Sequence, residues 1–210
     1  MMKAINPIDV VLFDLGGVLV ELAGVPTMLE WLNHRFTVDE LWVQWLSSDV
    51  VRAFERGQID PDAFADGLIA SMQLSVDRAT FLRVFDAWPR GLLPQALEVV
   101  RRVSPRCVRA TLSNTNVLHW SRVVDGMGLR RAFDHHFASH EIGKLKPDRD
   151  VFEHVVTRLN CRPSAVLFFD DNQMNVDAAQ RFGMHAVRVQ GPIEALRVLS
   201  DHGLIAPLSR

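Results

Sequence analysis

The sequence predicts an α/β fold: a parallel sheet covered by helices on both faces, with a group of short helices inserted after its first strand. Three observations carry this. Short apolar runs recur along the chain, helical stripes lie between most of them, and the stretch from Glu21 to Trp88 breaks the alternation. Strands that alternate with helices form parallel sheets, because each crossover helix must lie back on the sheet.

The first run, Val10-Val11-Leu12-Phe13, stops abruptly at Asp14-Leu15-Gly16-Gly17. A run this short, bounded by glycine, has the pattern of a strand buried on both faces. Similar runs stand at Val108–Leu112, around Phe137, at Ala165–Phe169 and at Ala186–Val189. Helices are expected from about Pro94 to Val103, from Asn175 to Phe182 and from Ile193 to Leu199. Another opens at Pro147-Asp148, with its apolar stripe on Val151, Phe152, Val155, Val156 and Leu159 and its proline early, where no backbone donor is lost.

From Glu21 to Trp88 no strand is expected. Leu41, Trp42, Trp45 and Leu46 follow helical spacing, as do Phe64, Leu68 and Met72. Arg56-Gly57 ends one helix, and Asp60-Pro61 opens the next as an N-cap followed by a first-turn proline. Four or five short helices are expected, with Trp31, Trp42, Trp45 and Trp88 as their core and a substrate-facing role for any one of them as the lesser reading. The domain reading is therefore an α/β core of residues 1–20 and 91–210, and a helical domain of residues 21–90.

The 210 residues are 48% hydrophobic and 23% charged, with a formal net charge of −2. That charge offers no field for gathering nucleic acid or an anionic membrane. No apolar run approaches the ~18 residues of a membrane span. Met1 to Asp9 lacks a signal peptide's apolar stretch, so a cytoplasmic location is expected. Cys107 and Cys161 share no metal-ligand spacing and read as two buried thiols in a reducing compartment. The sequence favours neither a monomer nor a homodimer.

Polar groups cluster at four places, each beside the end of an expected strand or the start of a helix. They are Asp14, then Ser113-Asn114-Thr115-Asn116, then Lys146, then Asp170-Asp171-Asn172 with Asn175 four residues beyond Asp171. Ligands of parallel α/β sheets bind at the carboxyl ends of strands. Asp14 has little packing value there, and the glycines after it let backbone approach a ligand closely. Adjacent carboxylates at a strand end repel and raise each other's pKa, which a hard cation such as Mg²⁺ relieves.

Phe13-Asp14-Leu15-Gly16-Gly17-Val18, Leu112-Ser113-Asn114-Thr115-Asn116, Lys146-Pro147-Asp148 and Phe168-Phe169-Asp170-Asp171-Asn172 resemble the four ordered motifs of the haloacid dehalogenase-like (HAD) hydrolases. The resemblance covers nearly the whole chain. It implies a Rossmann-like core with a small helical cap, and an activity on small phosphorylated metabolites. Asp14 would be the nucleophile that forms an aspartyl-phosphate. Magnesium would be held by Asp14, the backbone carbonyl of Gly16 and Asp171, with Asp170 assisting. Ser113 and the amide of Asn114 would hold phosphoryl oxygens, and Lys146 would neutralise charge on the nucleophile and the transferring group. The wording of the motifs is similar to a branch that includes bacterial sugar-1-phosphate phosphatases of the α-glucose-1-phosphatase kind.

One departure matters. Most phosphatases of this family carry a second aspartate two residues after the nucleophile, as acid and base; here that position is Gly16. Such assistance is typically worth ~10²–10⁴-fold, so good leaving groups are expected. Metal-free 2-haloacid dehalogenases share the scaffold and lack the same aspartate, and a binding protein without turnover is the third reading. The Asp170-Asp171 pair favours magnesium and so argues against the dehalogenase, and the presence of Asp14, Ser113, Lys146 and Asp171 argues against a protein without turnover. His135-His136 lacks a third metal ligand in register; His119, one turn after Asn116, reads mainly as surface, with a place facing the site as the lesser reading; and Arg101, Arg102, Arg106 and Arg109 read as a solvated helix end.

Overall fold

The computed structural model describes residues 8–206. Most of the Met1–Asp9 stretch and the extreme C-terminus of the expected core lie outside those residues. Five strands make one parallel sheet: β1 (Val10–Phe13), β4 (Val108–Ser113), β5 (His135–Ala138), β6 (Val166–Asp170) and β7 (His185–Arg188), in the order β5-β4-β1-β6-β7. The chain leaves β1 toward β4 and β5, then returns to β1's other side for β6 and β7. A ligand crevice belongs at that reversal, beyond the carboxyl end of β1.

Alternate residues of β1 and β6 feed two cores. Val11, Phe13, Leu167 and Phe169 pack on one face, against α6 (Ala96–Arg102) and α10 (Pro192–Asp201). Val10, Leu12, Val166 and Phe168 pack on the other, against α8 (Arg149–Arg158) and α9 (Gln173–Phe182). This is why the runs are apolar throughout rather than alternating. A short helix α7 (Ser139–Ile142) and a π-helical turn at Arg122–Gly126 complete this part. Among the described residues no helix is long and apolar enough to cross a membrane.

Between β1 and β4 come α1 (Val25–Trp31), α2 (Val38–Ser47), α3 (Asp49–Glu55), α4 (Pro61–Met72) and α5 (Arg78–Asp86). Caps set their starts: Thr37 and Glu40 form a reciprocal capping box on α2, and Asp60 caps α4 with Pro61 in its first turn. These helices share an apolar cluster that includes Met28, Leu41, Trp45, Phe54, Phe64 and Phe85. Of the four tryptophans read as core here, Trp45 and Trp88 are buried, while Trp31 and Trp42 are only partly so.

Two expectations need correction. Glu21 does lie in a strand, because β2 (Val20–Leu22) pairs antiparallel with β3 (Pro89–Leu92), and this ribbon brackets the five helices. Three or four residues are too few to show a period, and Pro89 and Gly91 disguise the second strand further. Cys161 is half-buried rather than buried, and both cysteines are free.

Candidate active site

The parallel register sets the first contacts. Phe13 stands opposite Phe169, so Asp14 and Asp170 emerge side by side, and the Asp14 N–H donates to the Phe169 carbonyl at 2.8 Å. Into this corner comes Lys146, from the loop between α7 and α8. Its Nζ lies 2.8 Å from Asp14 Oδ1 and 2.6 Å from Asp170 Oδ2, with its side chain only 1% exposed. Asp170 is wholly buried and also accepts from Asn175 Nδ2 and the Asn172 N–H. Its oxygens are thus spent on holding neighbours, and it lies behind the cavity wall.

Charge in the corner is unbalanced. Oxygens of Asp14, Asp170 and Asp171 fall within 4.8 Å of one another, and one lysine faces them. Burial pushes Asp14 up to about 8, with Asp170 and Asp171 adding to the rise and Lys146 opposing it. Burial and Asp170 lift Asp171 to about 6. Burial alone would lower Lys146, but its ion pairs with Asp14 and Asp170 carry it above the ordinary lysine range. Positive charge is what the cluster lacks. A divalent cation with oxygen ligands fits that need, and the buried Oδ1 of Asn175, which has no hydrogen-bond partner, suits a cation that brings its own waters.

The loop after β4 is braced from two sides. The Asn114 side chain donates to the Lys146 carbonyl and accepts from the Lys146 N–H, both at 2.9 Å. Ser139 Oγ receives the Thr115 N–H and donates to the Thr115 carbonyl, so the loop's path is set. Ser113 Oγ reaches only its neighbour's carbonyl at 3.5 Å, a contact too long to occupy it.

The two glycines differ in kind. Gly17 has φ +68°, and a side chain there would collide with Asp171, whose Oδ2 would lie 2.1 Å from its Cβ. At Gly16 the backbone is ordinary, and an added Cβ would meet only the tip of Leu22, a flexible side chain, at 2.8 Å.

Asp14, Gly16, Ser113, Asn114, Lys146 and Asp171 all line one cavity of about 590 Å³. Trp42, Trp45, Phe85 and Trp88 line its opposite side. Two further polar residues stand on that side, and of these the sequence reading passed over Glu55. Glu55 is buried, accepts from Trp45 Nε1 at 3.4 Å and is driven by burial up to about 7. Its signal was its place on the inward stripe of α3, four residues after Val51. His119, read mainly as surface, is buried: Nε2 donates to the Phe85 carbonyl at 2.7 Å and Nδ1 pairs with Asn116. Burial holds its ring down to about 4, so it stays neutral. His136 hydrogen-bonds Thr111 Oγ1 and the Arg130 carbonyl.

The helices are fastened beside the lysine. Arg52 of α3 and Arg56, the residue that caps its C-terminus, both reach Asp148, at 2.7 and 2.6 Å, two residues after Lys146 across a cis Lys146–Pro147 bond. Gly57, with φ +70°, lies so close to the His140 carbonyl that a Cβ would stand 2.5 Å from it.

A family model for haloacid dehalogenase-like hydrolases matches residues 8–183. A sesquiterpene phosphatase of Aspergillus oryzae is 29% identical over 181 residues, which cover 82% of this chain and 85% of that protein. Acyl-CoA dehydrogenase family member 10 of Mus musculus is 29% identical over 198 residues; these are 90% of this chain but only 18% of that much longer protein. Among solved structures, a HAD family enzyme of Bacteroides thetaiotaomicron in complex with magnesium and inorganic phosphate superimposes with a TM-score of 0.66. It is 24% identical, over 86% of this chain and 93% of that one.

Proposed function

The chain belongs to the haloacid dehalogenase-like hydrolase family, and we propose that within it the protein is a magnesium-dependent phosphatase using Asp14 as its nucleophile. The observation that carries this is the corner where Asp14 meets buried Lys146 among three carboxylates with too little positive charge. Asp14, Asp171 and the Gly16 carbonyl would hold magnesium, which supplies the charge that lets an anionic ester approach a carboxylate. Asp170 positions Lys146 rather than touching the cation.

Ser113 Oγ and the Asn114 N–H bind phosphoryl oxygens, and Lys146 offsets their charge. An Asp14 oxygen attacks phosphorus in line. The bond to the leaving alcohol breaks, and the alcohol oxygen keeps the electron pair and takes a proton from water. A second water then attacks the phosphorus of the aspartyl-phosphate, releasing inorganic phosphate and restoring the carboxylate. Catalysis of this kind is mostly positioning and charge stabilisation, which a rigid, buried corner provides. Residues 21–90 would act as the cap that covers the reaction, on a core of residues 1–20 and 91–210.

Two resemblances support the reading: a relative that is a sesquiterpene phosphatase, and a fold neighbour that binds magnesium and phosphate. A metal-free dehalogenase would leave Asp171 without work. With an aryl phosphate as substrate, chelation should abolish phosphate release and added magnesium should restore it. Phosphate release that survives exhaustive chelation overturns the assignment.

A further inference from the structure

The cavity has two unlike ends. At the inner end stand the charged groups of the corner; beyond them the wall turns apolar. Trp45 and Trp88 lie with ring centroids 5.3 Å apart, Phe85 is 4.9 Å from Trp88, and Trp42 joins them on the wall. The apolar lining continues outward to the mouth. Leu22, Val38, Val43 and Met174 are 37%, 46%, 55% and 46% exposed, and all four line this one cavity. Large apolar side chains gathered at an opening mark a binding surface, whereas singly scattered ones do not.

Asp39, Gln173, Arg188 and Gln190 stand on the lining at exposed positions, but on the buried aromatic wall polar partners are scarce. Both ring nitrogens of His119 are engaged, and Glu55 already accepts from Trp45. Trp88 Nε1 is buried without a hydrogen-bond partner and lies against Gly24, where an added Cβ would stand 2.1 Å from it. A sugar brings several hydroxyls, and each one buried without a partner weakens binding roughly tenfold or more. A hydrocarbon body has no such debt and is favoured in proportion to the area it buries.

Size agrees. If a phosphoryl group takes the room of about three waters, at ~30 Å³ each, roughly 500 Å³ remains. At about the same volume per carbon, that is room for a body of up to roughly sixteen carbons. We infer that the substrate is the phosphate monoester of a long or bulky hydrocarbon alcohol, seated among Trp42, Trp45, Phe85 and Trp88, rather than a sugar phosphate. The inference rests on the phosphatase reading and specifies its substrate class.

The test uses the full chain with magnesium and esters of primary alcohols only, so that the leaving group stays constant: butyl, hexyl, decyl and 4-phenylbutyl phosphate against glucose 6-phosphate. An activated aryl phosphate serves as a check on chemistry. Decyl and 4-phenylbutyl phosphate should exceed both butyl and glucose 6-phosphate at least tenfold in kcat/KM. Val43→Ser and Met174→Ser, at exposed positions that leave folding undisturbed, should narrow the decyl-to-butyl ratio severalfold. If the aryl phosphate is hydrolysed and glucose 6-phosphate matches or outruns decyl phosphate, the substrate class is overturned while the phosphatase reading stands. If no ester is hydrolysed, the aryl phosphate included, the phosphatase reading itself falls and takes the inference with it.

Discussion

The floor of the cavity presents carboxylates and an ammonium at the ends of buried strands, whereas its roof presents aromatic rings on short helices. Floor groups are placed by main-chain register: Asp14 and Asp170 are neighbours because Phe13 and Phe169 are paired. Roof groups are placed by side-chain packing, in which Phe54 stacks on Phe64, Phe81 stacks on Phe85, and the two pairs meet at a tilt. Register admits no intermediate positions, while packing admits many. The floor should therefore fail all at once when altered, and the roof by degrees.

The largest effect expected on the floor is that of Asp14→Asn. An amide is a far poorer nucleophile, and turnover should fall at least ~10³-fold. The fold should not suffer, because the change removes one negative charge from a cluster that has too many. Single-turnover kinetics with a parallel melting curve checks both halves. An activity loss accompanied by unfolding would mean that Asp14 holds the sheet rather than the substrate.

Gly16→Asp sharpens the comparison from the other direction. The backbone there accepts a side chain, and only the tip of Leu22 must give way. A carboxylate at this point should speed the poorest leaving groups most, by up to ~10²–10⁴-fold, and activated aryl esters least. The slope of rate against leaving-group pKa measures this. A uniform gain across the series would assign the benefit to breakdown of the aspartyl-phosphate instead.

The smallest effect belongs to the roof. Glu55 titrates near 7 in the folded chain against an ordinary 4.5, so the native state holds its proton more tightly than the unfolded one. Stability from this group is complete below about 4.5 and is lost as pH rises toward 7. Glu55→Gln should thus leave stability unchanged near pH 4 and raise it at pH 8, by up to about 3 kcal/mol. Urea unfolding at the two pH values decides; an equal difference at both would show that Glu55 does not titrate in this range.

The sequence spelled out the floor almost completely, since Asp14, Ser113 and the Asp170-Asp171 pair each stand where an apolar run ends abruptly, and strand ends are where ligands meet parallel sheets. Lys146 was legible as a residue, while its brace by Asn114 was not, because a reciprocal side-chain-to-backbone pair thirty-two positions apart has no local sign. The roof was legible only as helices. Trp45 and Trp88 read as core from their spacing, and they are; that they also line the cavity depends on how the helices are tilted. Glu55 was passed over, and His119 was set mainly at the surface, because burial of a polar residue is decided by packing. The β2–β3 ribbon was too short to carry a period.

Lys146 and Asp148 stand two residues apart, yet the surrounding medium should treat their attachments differently. Asp148 holds Arg52 and Arg56 where all three side chains remain 22–31% exposed, so dissolved ions can reach and weaken that bond between α3 and the core. Lys146 faces Asp14 and Asp170 out of reach of solvent, and Asn114 pins its backbone on both sides. Ionic strength thus becomes a selective lever: salt loosens the roof's fastening and leaves the floor's charge geometry as it was.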